Sequence, residues 1–313
     1  MMTMHPVLPA LSALFAAAAQ PLAPAPARLA PWTTALRAQQ PEGAFAAVYK
    51  VGDEHLVFLA AQHANRTGSP TFKLIADAFA HFRFDTVIAE GFPTARGPNP
   101  ARTLQYVADN GPRADGFVEA GELYPTAIGA QAQGAKLWGG EAHDLAVKAR
   151  LVLSGVAVED LLGFYALRNI PQWIREKKIH QAGDPRLRPL IDVALDRDRA
   201  TLQLPATILP DFESWSAWYA RINGRPIGAD FVTEEAGPLA DGKFGSNRIA
   251  AAISRERAAY LHELIVAHLN KRESVLVVFG ASHLMIHRPA LDAALGPPCY
   301  AGTDLRRGAG ECL

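Results

Sequence analysis

Ser274-Val-Leu-Val-Val-Phe-Gly-Ala-Ser-His283 decides the fold. Six residues, Ser274 to Phe279, are almost all apolar and rich in valine, the pattern of a strand buried on both faces of a parallel sheet. Gly280 breaks the pattern, and the chain then delivers a polar triplet ending in His283. In an open α/β sheet, ligands sit outside the carboxyl ends of the strands. A histidine just past such an end, after a glycine that admits close approach to the backbone, is placed as a site residue.

The same arrangement recurs. Leu56-Val-Phe-Leu-Ala-Ala-Gln-His63 is an apolar run ending in a histidine. Thr86-Val-Ile-Ala-Glu-Gly91 ends in Glu90-Gly91, and Lys136-Leu-Trp-Gly-Gly-Glu141 ends in Glu141. A lone histidine is more often structural. Four strand-like segments that each stop at a His or a Glu point to one shared polar site.

With 313 residues, 49% of them hydrophobic, the chain can bury a large core as one α/β domain with a sizeable insertion. Lys plus Arg and Asp plus Glu both number 31, so the basic face of a nucleic-acid or membrane-surface binder is not expected. No apolar run approaches the roughly 20 residues of a membrane span.

Residues 1–27 differ from the rest. An apolar segment, Val7 to Ala19, precedes a Pro/Ala-rich run, Pro21 to Ala27. Ala17-Ala-Ala19 and Ala25-Pro-Ala27 both resemble small-residue cleavage sites. The stretch reads as a secretory signal peptide, although only His5 supplies positive charge before the apolar part. The competing reading is an Ala/Pro-rich tail. Export implies a periplasmic or secreted protein, in which Cys299 and Cys312 would form a disulfide pinning the C-terminal tail, residues 299–313.

Between these ends, runs at 44–51 and 55–61 joined by Gly52-Asp53-Glu54 predict a β-hairpin. Ser69-Pro70 predicts a capped helix reaching about Phe82, and Thr86–Ala89 the next strand. That β–helix–β order is a right-handed crossover, so His63 and Glu90 share one sheet edge. Prolines 93, 98 and 100 predict a loop over that edge. Helices are expected at about 101–109, 119–133 and 141–153, then a long one over 247–269, then one over 283–295 with Pro289 kinking or restarting it. Residues 155–240 carry amphipathic helical pieces and little strand signal, a helical insertion or cap in which Trp173, Trp215, Trp218 and Tyr219 pack. The fold class is therefore α/β, a largely parallel sheet flanked by helices, with a single domain over residues 28–298.

These residues carry a resemblance. The chain resembles the superfamily joining the TraB/PrgY/GumN proteins, the Tiki metalloproteases, the erythromycin esterases and the ChaN-like haem-binding proteins. Ala60-Ala-Gln-His63 matches a Gly-x-x-His signature with alanine in place of glycine, and Gly280-Ala-Ser-His283 matches a second one fully. Val87-Ile-Ala-Glu90 matches a strand ending in an acidic residue, and Ser254-Arg-Glu-Arg257 an arginine-bearing helix. Either Arg255 or Arg257 fits the arginine position. The likeness spans residues 44–295.

The resemblance implies the erythromycin esterase/ChaN-like fold and hydrolysis of a peptide or ester bond in a small-molecule or peptide substrate. His63, Glu90 and His283 would hold Mn²⁺, Co²⁺ or Zn²⁺, which lowers the pKa of bound water. Whichever of Glu90 and Glu141 is not a ligand would be the general base. Arg255 or Arg257 would steady the oxyanion or pair with a carboxylate. A metal-free esterase using a His/Glu pair is the alternative in the same class, and a haem binder without catalysis the alternative in another. His143 and His287 are secondary candidates, the latter one helical turn after His283.

Overall fold

Strand β5 (Val275–Gly280) is buried at every position and stands inside a six-stranded sheet. The computed structural model describes residues 21–313. Most of the leader expected over residues 1–27 therefore lies outside the described residues. The other strands are β1 (Phe45–Val51), β2 (Glu54–Ala61), β3 (Thr86–Pro93), β4 (Lys136–Glu141) and β6 (Tyr300–Gly302), in the order β4-β3-β5-β2-β1-β6. Strands β4, β3, β5 and β2 run parallel, while β1 is antiparallel to both β2 and β6. The sheet is thus mixed: a parallel centre with an antiparallel flank.

Alternation along β5 feeds two cores. Leu276 and Val278 point to one face, with Val57, Leu59, Val87 and Leu137. There they meet Leu74, Ile75 and Ala78 of the helix Pro70–His81, and Ala127 and Ala130 of the helix Leu123–Gln133. Val275, Val277 and Phe279 point to the other face, where Leu261, Ile265 and Leu269 of the helix Gly245–Leu269 and Leu284 and Leu291 of the helix Ala281–Leu295 cover them. Burying each such side chain contributes about 1.5–3 kcal/mol, so the two-faced apolar pattern fixes the strand in the middle of the sandwich.

A third core belongs to the helices between β4 and β5 in sequence. Helices Val158–Leu167, Ile170–Arg175, Leu187–Leu202 and Phe212–Asn223 pack around Trp215, Trp218 and Tyr219, each no more than 1% exposed. Trp215 Nε1 donates to the Gly163 carbonyl at 3.0 Å and Trp218 Nε1 to Asp160 Oδ1 at 2.9 Å. These aromatics are packing groups with satisfied donors, as buried indoles require.

Several boundaries differ from the sequence reading. The C-terminal stretch is not a loose tail: β6 pairs with β1, and the helix Leu305–Cys312 packs on the first core through Leu305 and Cys312. Cys299 and Cys312 are disulfide-bonded, with Cα atoms 5.6 Å apart. A three-residue strand is too short to show as a pattern. The helix expected from residue 119 begins at Leu123, because Gly121 takes a positive φ of 56°. The last long helix starts at Ala281, directly at the end of β5, and continues through Pro289 to Leu295. Strand β3 runs on to Pro93 with a register irregularity against β4 between Ala89 and Pro93.

Candidate functional site

Strand order brings the site together. Between β2 and β3 the chain crosses the sheet through the helix Pro70–His81, and β5 later inserts between them. In register, Ala61 sits opposite Gly280 and Ala89 opposite Val278. The carboxyl ends of β2, β5 and β3 therefore lie side by side, carrying His63, His283 and Glu90. From β3 the chain returns along the face holding the helix Leu123–Gln133, and from β5 along the opposite face. Such a reversal between neighbouring strands opens a crevice at their ends.

Glu90 is the centre of the cluster. The irregularity in β3 spans Glu90 to Phe92, three residues against Gly140 alone on β4, and such a bulge re-aims side chains. Glu90 Oε2 accepts the Gly280 backbone N–H at 2.7 Å. It faces His63 Nε2 at 3.8 Å, and Glu90 Oε1 faces His283 Nε2 at 3.9 Å. Burial raises the Glu90 carboxyl above its ordinary value, against the opposing pull of His63 and the Gly280 N–H.

Gly280 is a steric requirement. A Cβ there would stand 2.9 Å from His63 Nε2 and 3.4 Å from Glu90 Oε2, so a side chain would enter the site. Ala60, where the resemblance expects a glycine, has no such constraint, because its methyl is fully buried in the second core.

His63 is held from behind by Glu122, a residue the sequence reading missed. The His63 Nδ1–H donates to Glu122 Oε1, and this bond is the main reason that the imidazole's pKa is raised, with Glu90 adding to it. Burial pushes the Glu122 carboxyl up, but the His63 bond and charge outweigh it and leave it lowered. Thr71 Oγ1 donates to the Gln62 carbonyl at 2.6 Å and anchors the backbone beside His63. The signal for Glu122 was the dipeptide Gly121-Glu122, the same pairing that ends β4, hidden by reading a helix through it.

His283 sits in the first turn of its helix, mostly buried, with its ring edge-on to Phe279 at 5.2 Å. Burial, and then Arg257, hold its pKa down at about 4, so it is a neutral imidazole near pH 7. Its Nδ1 is buried without a partner among the described residues.

The second group lies beyond Gly91. Arg257 Nε donates to Glu141 Oε2 at 2.9 Å, joining the long helix to the end of β4. Arg257 is the arginine that reaches the site. Arg255, two residues away on the same helix, is exposed on a different cavity beside Leu29 and Trp32. Glu141 is engaged by Arg257, and the lowered pKa of His283 makes it a poor base, so the groups left to take a proton are His63 and Glu90. His143 caps the helix Asp144–Leu153, accepting the Leu145 N–H at 3.3 Å, and lines the cavity of Glu141 and Arg257. His287 does not reach the site: it is fully buried, with Nδ1 at 2.6 Å from the His283 carbonyl and Nε2 at 3.1 Å from that of Ala258.

The donor types suit a divalent transition metal, but the spacing does not. Two bonds of 2.0–2.1 Å at a tetrahedral angle hold their donors about 3.4 Å apart. Glu90 stands 3.8 and 3.9 Å from the two imidazoles. Among the described residues no group of three or more His, Cys, Asp or Glu is arranged to hold a metal ion. A haem at His63 would meet three carboxylates: the cavity there, about 390 Å³, is lined by Glu90, Glu119 and Glu122 beside the apolar Ala89, Leu123 and Val278. Among the described residues no helix is long and apolar enough to cross a membrane. No protein-family model matches the chain, and no match was found to a curated protein or to a solved structure.

Proposed function

We propose that the chain is an exported hydrolase of an ester or peptide bond, acting without a metal through a His/Glu pair. The observation that carries this reading is the position of Glu90, between two imidazoles and opposite a His63 braced by Glu122. With its Nδ1 proton given to Glu122, His63 presents the Nε2 lone pair to the crevice. The 3.8 Å between that nitrogen and Glu90 is too long for a hydrogen bond and suits a water in contact with both. His63 takes a proton from the water as it attacks the carbonyl carbon, and returns that proton to the leaving group as the acyl bond breaks. Glu90 and Glu122 stabilise the imidazolium that forms between the two steps. Arg257 supplies positive charge for the developing oxyanion on the side beyond Gly91.

Export is supported by the Cys299–Cys312 disulfide, a bond that persists in oxidising compartments. The resemblance to the TraB–Tiki–erythromycin esterase–ChaN superfamily supports hydrolysis of an ester or peptide bond, and the metal-free His/Glu chemistry is the alternative within it that this reading takes. A metal-loaded form is the second reading, since a carboxylate behind the ring is also how metal-binding imidazoles are oriented.

The test is a panel of p-nitrophenyl esters and short peptides, with elemental analysis of the same purified protein. The proposal expects hydrolysis without stoichiometric metal, unaffected by chelation and lost in Glu90→Gln and His63→Asn. Stoichiometric Zn, Mn or Co with chelator-sensitive turnover would replace it with the metal reading. A Soret band on haem titration, with no turnover on any substrate, would replace it with the haem-binding one.

A further inference from the structure

Two cavities meet at the end of β3. One, about 390 Å³, contains His63, Glu90 and Glu122. The other, about 350 Å³, contains Glu141, Arg257, His143, Tyr165 and Arg168. Gly91 lines both, with a φ of 102° and open space where a Cβ would stand. A substrate whose carbonyl lies at Glu90 therefore has room on either side of Gly91, one arm in each cavity.

The two arms meet different electrostatics: the charged groups of the first cavity are carboxylates, while the second sets Arg257 and Arg168 against Glu141 and Asp144. On the His63 side, among the described residues, no arginine or lysine pairs with Glu90 or Glu122: Glu122 holds the His63 Nδ1–H, Glu90 accepts the Gly280 N–H, and Glu119 is paired with Arg113 at 2.7 Å. On the other side Arg257, the arginine beside the developing oxyanion, is paired with Glu141 through Nε and Nη2. Arg168 is not. Its guanidinium carbon lies 3.9 Å from the centroid of the Tyr165 ring, and among the described residues its side chain makes no hydrogen bond or ion pair. The ring beneath it is itself fixed, because the Tyr165 hydroxyl donates to Asp144 Oδ1 at 2.8 Å. A stacked guanidinium keeps its N–H edges available, in the fork that matches a carboxylate.

We infer that Arg168 is a specificity-determining residue that receives a carboxylate of the substrate, so that the chain selects acyl compounds bearing a free carboxylate on the side of the helical insertion. The inference rests on the hydrolase reading for the orientation of the substrate. The carboxylates at His63 exclude the anionic arm from the first cavity, and Arg168 accepts it in the second.

Calorimetric titration tests this apart from turnover. The protein carries Glu90→Gln to silence hydrolysis, and the probes are N-acetylglycylglycine and its C-terminal amide. The acid is expected to bind at least tenfold tighter than the amide. Arg168→Gln in that background narrows the gap below threefold, and Arg168→Lys keeps part of it, since the charge remains. Equal affinity for the two probes, binding of neither, or a gap that survives Arg168→Gln overturns the inference. Loss of the preference leaves the hydrolase reading standing, and absence of turnover in the unsubstituted chain leaves the measured preference standing.

Discussion

Glu122 accepts the Nδ1 proton of His63, while the other ring nitrogen faces Glu90 across 3.8 Å. One imidazole is thus held between a carboxylate that fixes its tautomer and a carboxylate that shares its target. Because Glu122 and Glu90 raise the His63 pKa, a base mechanism loses activity as pH falls through that raised value, above the ordinary 6.5. Glu122→Gln should lower kcat/KM by on the order of 10²-fold and move the acid limb of its pH profile to lower pH. A profile that stays in place would show that Glu122 does not brace the base.

Gly280→Ala separates site geometry from folding. The backbone at Gly280, φ −52° and ψ 145°, is open to any residue, so no strain is added. The new methyl nevertheless meets His63 and Glu90. Hydrolysis should fall at least about tenfold, while urea unfolding shifts by no more than about 1 kcal/mol. Full activity in this variant would place the chemistry elsewhere.

Arg255 and Arg257 should behave oppositely. Arg257→Ala strands Glu141, a mostly buried carboxylate, and should cost about 1–3 kcal/mol by chemical denaturation together with most of the turnover. Arg255→Ala, at an exposed position, should change stability by less than about 0.5 kcal/mol and leave kcat/KM intact.

Stability should fall with acid in a defined window. Burial holds the pKa of His283 at about 4, below the ordinary 6.5 of an unfolded histidine. Between those limits the unfolded chain binds protons that the folded chain refuses. The stabilisation is complete above about pH 6.5 and declines as pH drops toward 4, by up to about 1.4 kcal/mol per pH unit for this histidine. His283→Gln should flatten that slope in denaturation measured from pH 7 to 4.5, and an unchanged slope would assign it to other groups.

Reduction of Cys299–Cys312 should release the last helix. The bridge closes a loop of sequence separation 13, for which chain entropy predicts about 3 kcal/mol. The Cys299→Ser/Cys312→Ser double variant should lose about that much in urea unfolding while keeping its kcat/KM, because β6 lies at the edge of the sheet away from β3.

How much of this was legible in the sequence follows from range of interaction. Valine-rich runs that stop at a glycine and a His or Glu are local, so β2, β3, β4 and β5 and four of the site residues could be read directly. Gly280 was readable as a backbone requirement, but not that its missing Cβ makes room for His63. Glu122 was not legible, because a helix pattern covered it until the positive φ at Gly121 set the helix start at Leu123. The choice between Arg255 and Arg257 was not legible either, since both lie in one unbroken helix and only its rotation against β4 separates them. Strand β6 carries three residues, too few for any periodicity, and is held by Tyr300 and by pairing with β1.

The most direct test of the central claim, that His63 and Glu90 act on one water, is a double-mutant cycle in hydrolysis. His63→Asn and Glu90→Gln are each expected to cost on the order of 10²-fold or more in kcat/KM, and the double variant no more than the worse of the two, because residues that work as a unit are lost together. Losses that multiply independently, or single variants that keep the full rate, would contradict it.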